Sequence, residues 1–336
     1  MARAPPGYRT GSERGQPLAA GSGGFAILSL PIRLLEASAR QGGLLLALGI
    51  FAGLFIPPLA SALRDVVTPT VALLMTLVLL RVDPAQVLSY LRRPALVAAL
   101  LAWLLLACPL LAWAVARATG LDGPLGAALV IMATGCAATS SPAFARLVGL
   151  DGEIALVASL LSTLLVPFTA PPLALGLLGI DLSLSVTGLM ARLALVVGLP
   201  LLLSLVIRRL AGPARLHRWG RSVDGAVVLL VVFYGFGVMD GVLARLLAEP
   251  GFVLGGIALA FAGSFALNAL TALVLWPAGK RVALSAGLLS GNRNMALYLA
   301  VLPASTDARI LLFFALCQFP LFLSPFLLKS FYRRIN

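Results

Sequence analysis

Apolar residues run along this chain in long unbroken blocks rather than in the alternation of a half-buried strand. Between charged residues and Pro/Gly breaks, ten blocks stand out: 42–62, 66–80, 95–116, 124–147, 153–178, 184–207, 223–243, 251–276, 282–303 and 309–328. An α-helix needs about 20 apolar residues to cross a bilayer core. Membrane barrels instead alternate over about 10 residues, so the helix remains as the structure that satisfies every backbone polar group in lipid. The pattern predicts an all-α polytopic membrane protein with ten transmembrane helices.

Composition agrees. Hydrophobic residues make up 60% of the 336 and charged residues 11%, whereas soluble domains carry about a quarter charged residues. The net charge of +13 is not a nucleic-acid footprint, because no run of five like charges exists and the basic residues lie between apolar blocks. Nineteen Lys and Arg fall on the tails and loops that share a side with the N-terminus, and four (Arg64, Arg117, Arg245 and Arg309) on the other. Acidic residues divide six and six, as expected when positive charge alone carries topology. Both termini are therefore expected in the cytoplasm of a bacterial-type inner (plasma) membrane. Cys108, Cys136 and Cys317 sit inside apolar blocks without metal-ligand spacing and read as buried thiols. Residues 1–24 read as a disordered tail, and Phe25 to Glu36, interrupted by Pro31 and Arg33, as a short interfacial helix.

Ten spans divide into two fives, and an odd unit must insert its second copy upside down, a recurrent transporter architecture. At an offset of 156, Thr134-Gly135 pairs with Ser290-Gly291, Asp151 with Asp307, and Ser162 with Gln318. The expected organisation is a tail over 1–40, a first repeat over 41–180 and an inverted second repeat over 181–336.

Two spans carry polar interruptions at corresponding places. Span four contains Thr134-Gly-Cys-Ala-Ala-Thr-Ser-Ser-Pro142 and span nine contains Ser290-Gly-Asn-Arg-Asn294. Glycine permits unwinding and Pro142 removes a helical donor, so these read as discontinuous helices forming a midplane site. Thr139, Ser140 and Ser141 could each simply bond back to their own helix. Asn292, Arg293 and Asn294 together are harder to explain that way. An arginine at a helix centre costs about 2.5–3.5 kcal/mol on insertion scales and is functional by default. Every Asp and Glu maps to a tail, a loop or a span end, so Arg293 must face backbone carbonyls, neighbouring Asn and Ser side chains, or an anionic ligand. Arg192 lies near the start of span six and can snorkel. Asn268 and Thr271, Ser159, Ser162 and Thr163, and Gln318 could line the same cavity, although each alone is a common helix–helix hydrogen bond.

At these residues the chain resembles the bile acid:sodium symporter family, over roughly residues 42–330. Ser140-Ser-Pro-Ala-Phe-Ala-Arg-Leu-Val through Leu161-Ser-Thr-Leu-Leu-Val-Pro167 parallels the family's Ser-Asn segment followed by Ser-Thr-Leu-Leu-x-Pro. Gly291-Asn-Arg-Asn294 parallels its Glu-x-Gly-x-Gln-Asn segment. The resemblance implies panel and core domains, spans four and nine unwound and crossing, and sodium-coupled uptake of organic anions by alternating access. Its sodium ligands are largely replaced. Ser141 keeps a serine, but the adjoining asparagine falls on Pro142, one span-five ligand falls on Ala155 and another becomes Ser159. The glutamate falls on Leu289 and the following glutamine on Arg293; a span-three glutamine falls on Leu104, while Asn294 is retained.

Losing a buried carboxylate and gaining a guanidinium is a coherent exchange. A sodium ion about 4–5 Å from Arg293 would meet several kcal/mol of repulsion at intermediate dielectric, so Arg293 reads as a tethered cation. The sequence thus predicts a secondary transporter of a small organic anion with altered or absent sodium coupling. Substrate contacts fall to Asn292, Arg293, Asn294, Thr139, Ser140, Ser141 and Asn268, and a residual cation site to Ser141, Ser159 and Ser290. A genuine sodium symporter is the alternative, and a non-transporting receptor or scaffold the alternative of another class. An intramembrane enzyme lacks a base, since the sole histidine, His217, lies in a loop among arginines. Substrate and lipid bilayer are the expected partners, with no nucleic acid or obligate protein partner; no metal or cofactor is expected unless Na⁺ is retained.

Overall fold

The computed structural model describes residues 42–82, 84–178, 184–303 and 305–335, together with Leu35 and Ser38. The interfacial helix expected within residues 25–36 lies outside the described residues, Leu35 apart. Described residues are helical almost throughout, with one antiparallel bridge pair in place of any strand. Among the described residues, four helices are long and apolar enough to cross a membrane, or up to six if each of two bent pairs counts as one.

The first predicted span is not one straight helix. α1 (Gly42–Phe55) stops before Pro57, because the residue preceding a proline is pushed out of the helical region; Ile56 sits at φ −121°, ψ 70°. α2 (Pro57–Arg64) then meets α3 (Val67–Arg81) at 72°. A short helix α4 (Pro84–Leu91) leads to α5 (Pro94–Ala118), whose interior holds one wide turn, Trp103–Ala107. There the Cys108 amide reaches back five residues to the Trp103 carbonyl instead of four.

Span four is split into α6 (Gly123–Thr134) and α7 (Ser141–Leu147), and span five is the unbroken α8 (Gly152–Leu178). Asp151 caps α8, accepting from the Glu153 and Ile154 amides at 2.9 and 3.1 Å. Spans six and seven form the 53-residue run α9 (Val186–Val238), which would measure about 80 Å if straight. Gly212, at φ 72° and ψ 160°, breaks it in a conformation open to glycine. Beyond Gly241 come α10 (Val242–Ala248) and α11 (Pro250–Val274). Span nine is split into α12 (Lys280–Gly291) and α13 (Ala296–Val301), and α14 (Ala308–Leu316) and α15 (Gln318–Ile335) complete the chain.

Small residues set the closest approach. A Cβ on Gly291 would lie 2.5 Å from the Ser264 carbonyl oxygen, and one on Gly287 2.6 Å from that of Asn268. α11 and α12 therefore touch backbone to backbone, the packing that substitutes for a hydrophobic drive in lipid. Around the broken helices lie two apolar clusters, one built on Met132, Tyr298 and Phe314, the other on Leu104, Phe144 and Leu289. Leu289, where the resemblance implies a glutamate, is fully buried in the second cluster.

Candidate functional site: a crossing of two broken helices

Both predicted interruptions break their helices. α6 ends at Thr134, and Gly135 turns extended at φ −63°, ψ 154°. α7 restarts with Pro142 in its first turn, where the missing N–H leaves no helical bond unmade. In the second half, Asn292 leaves α12 at φ −101°, ψ 90°. Unwound backbone is expensive in a membrane unless its polar groups are met within protein. Here the two stretches meet each other. Ala137 and Arg293 form an antiparallel bridge, in which the Ala138 amide donates to the Asn292 carbonyl at 2.8 Å and the Asn294 amide to the Cys136 carbonyl at 2.9 Å. Neighbouring helices satisfy more of the backbone: Ser162 Oγ accepts from the Ala137 amide at 3.2 Å, and Ser264 Oγ donates to the Gly291 carbonyl at 2.8 Å.

Arg293 is 3% exposed and directs its guanidinium at carbonyls. Nε donates to Ser290 at 2.8 Å, and Nη1 to both Leu104 at 2.9 Å and Gly135 at 2.8 Å. Ser290 is in the last turn of α12 and Gly135 caps α6, so two of the carbonyls stand at the negative ends of helix dipoles. The third, Leu104, lies in the wide turn of α5. Ion pairs among the described residues (Arg64–Asp240, Arg81–Asp224, and Glu249 with Arg245 and Arg309) leave Arg293 out. Its Nη2 has no acceptor among the described residues, and neither has the buried Asn292 Nδ2.

The other predicted site residues divide. Asn292 Oδ1 accepts from Ser324 Oγ at 3.1 Å, and Asn294 Oδ1 from the Ala296 amide at 3.2 Å, at the start of α13. Ser141 is buried with its Oγ unpartnered, and Ser140, the residue before α7, is half-buried. Thr139 and Ser159 line a cavity of about 20 Å³ with Thr163, faced by Met75, Val78 and Leu79 of α3 and by Val82 just beyond it. Ser159 Oγ donates to its own helix at Leu156. Ser290 Oγ accepts from Thr271 Oγ1 at 2.7 Å, Thr271 accepts from Trp103 Nε1 at 2.7 Å, and Cys108 Sγ lies 3.3 Å from Ser290 Oγ. Asn268 is engaged elsewhere, accepting from the Tyr332 hydroxyl at 2.9 Å. The crossing thus gathers Asn292 to Asn294 with the Thr134–Ser141 stretch, while Asn268 joins α11 to α15. Sequence reasoning missed Ser324 and Tyr298, whose hydroxyl shares a short hydrogen bond with Thr134. A lone Ser or Tyr in an apolar block gives little signal of its partner.

The family model described as the sodium bile acid symporter family matches residues 68–234. The chain belongs to that family. The match takes in the first broken helix and stops short of the second, so Arg293 lies outside it. A comparison with curated proteins finds no match. Membership makes this symporter-family chain a multi-pass membrane protein of a transporter family, not an enzymatic one, with a small-molecule substrate and a lipid environment.

Proposed function

We propose that this protein is a secondary transporter that moves a small organic anion by alternating access, without obligatory sodium. In this reading its ten spans form two inverted five-helix repeats in a bacterial-type plasma membrane, with both termini cytoplasmic. The observation that carries the reading is the Arg293 guanidinium on three carbonyls at the crossing. Carbonyl oxygens at helix C-termini are what a bare sodium ion takes as ligands in membrane transporters. Here a side-chain cation fills that role and cannot dissociate. The unsatisfied Nη2 of Arg293 and Nδ2 of Asn292 are donors, a supply that suits an anion or the water that accompanies it.

A sodium-coupled reading draws on two observations, the unpartnered Ser141 Oγ and the small cavity lined by Thr139, Ser159 and Thr163. No carboxylate lines it, and Ser290, a third ligand expected from sequence, is hydrogen-bonded to Thr271. Thermal stability of the purified protein, with NaCl replacing choline chloride at constant ionic strength, separates the two. A ligand at 100 times its Kd stabilises the folded state by about 2.7 kcal/mol. The tethered-cation reading expects no sodium-specific shift, and one restored in the Arg293→Gln, Leu289→Glu double variant. A saturable sodium shift in the unsubstituted protein, or strictly sodium-dependent uptake, overturns it.

A further inference from the structure

A cavity of about 450 Å³ opens at the end of the molecule that carries Arg64 and Arg245. Its walls include Val67 at the start of α3, Val238 at the end of α9 and Leu299 in α13. Behind these three side chains lies a small cluster of Val71, Tyr234 and Ala296, all buried, against which all three pack. Ala296 opens α13 and stands two residues beyond Asn294, whose amide is bonded across the crossing. The cluster therefore joins the cavity wall to the first residue of α13 at the crossing, and the Tyr234 ring is its largest member.

Tyr234 is 3% exposed and Gln318, on α15, is 1% exposed. Gln318 Nε2 donates to the Tyr234 hydroxyl at 3.1 Å and to the Phe314 carbonyl at 3.1 Å. Its Oε1 is buried without a partner. A buried acceptor left unmet is less favourable than a solvated one. The closed arrangement therefore holds the ring by a hydrogen bond from an amide that would itself be better satisfied if water or a solute entered. Such a contact closes a passage without making it a deep trap. The same helix, α15, reaches the crossing through Ser324 and Asn292.

We infer that Tyr234 is the gate between this cavity and the helix crossing, and that Gln318 is the latch that holds it shut. The inference concerns access alone, so it can fail while the transport reading stands, and the reverse also holds.

Thiol accessibility tests it on the full chain, purified in detergent, with a small water-soluble methanethiosulfonate reagent. Ala296→Cys places a thiol in the buried cluster with the ring, Leu312→Cys places one on the cavity wall, and the chain without either gives the background, since Cys108, Cys136 and Cys317 are all buried. The expected result is fast labelling at position 312 and slow labelling at 296. Adding Gln318→Ala should speed labelling at 296 by roughly two- to ten-fold, the factor that one net hydrogen bond represents. Adding Tyr234→Ala should speed it by more than about ten-fold, because truncating the ring leaves a cavity in its place. Should Tyr234→Ala fail to give a monodisperse protein, Tyr234→Leu, which narrows the plug but keeps it apolar, serves in its place. Equal labelling at 296 and 312 in the Tyr234 background overturns the gate, as does a rate at 296 that ignores the Tyr234 substitution. A rate unchanged by Gln318→Ala overturns the latch.

Discussion

Arg192 and Arg293 both interrupt apolar blocks, and a hydropathy scale charges them alike. Their surroundings differ. Arg192 is exposed, in the second turn of α9, and its one described hydrogen bond runs from Nη1 to the Val301 carbonyl at 3.3 Å. Arg293 is almost completely buried and spends two nitrogens on three carbonyls from three separate elements. What makes a buried cation tolerable is the set of oxygens already aimed at it, not its position in the sequence. Where that set is large and no carboxylate completes it, the cation is part of the architecture.

Substitutions can break this comparison. Arg293→Leu strands three carbonyls and should cost about 3–5 kcal/mol, as removal of one partner from a buried charged network does, read as a large fall in the detergent melting temperature. Equal melting of the variant and the parent would show the carbonyls to be satisfied without it. Arg293→Lys keeps the charge but loses the planar fork; it should cost about 1–3 kcal/mol, the loss of one or two charged hydrogen bonds. Thr271→Val removes the hydroxyl between Trp103 and Ser290 and should cost about 1 kcal/mol, without affecting any sodium response. Arg192→Leu should change melting by no more than about 0.5 kcal/mol, as exposed substitutions do.

The smallest effect concerns the exposed ion pairs. The hydrogen bond from Arg309 holds the Glu249 carboxyl below its usual value, with Arg245 adding to it. A depressed carboxylate contributes stability at neutral pH and loses it only as pH falls below the ordinary value of 4.5. Glu249→Gln should therefore lower melting slightly at neutral pH, with the difference from the parent vanishing as pH falls below 4.5, and a pH series of melting curves would show it.

The breaks at Gly135 and Gly291, the buried arginine between two asparagines and the family were all legible in the sequence, because glycine, proline and a charge in an apolar block each leave a local mark. The break before Pro57 was legible in principle, yet the apolar pattern ran through it and suggested one span. Partner choice was not legible. Asn292 and Arg293 stand next to each other in an extended segment, where successive side chains leave on opposite faces, so one finds Ser324 and the other three carbonyls. Asn268 shares its helix with Ser264 and Thr271 but accepts from Tyr332, a contact fixed by how α15 returns. The Leu104 carbonyl carries no sequence signal at all, since any residue would present one.

That carbonyl depends on the wide turn at Trp103–Ala107, which is one residue more than a regular helix would use for the same rise. Deleting a single codon there would let α5 run as an ordinary helix, with the faces before and after the turn kept in register because the extra residue is the one removed. The length of this helix thus carries a tolerance that its amino-acid identities do not reveal: one residue can leave the turn without rotating either flank, whereas a deletion elsewhere in α5 would swing everything beyond it by about 100°.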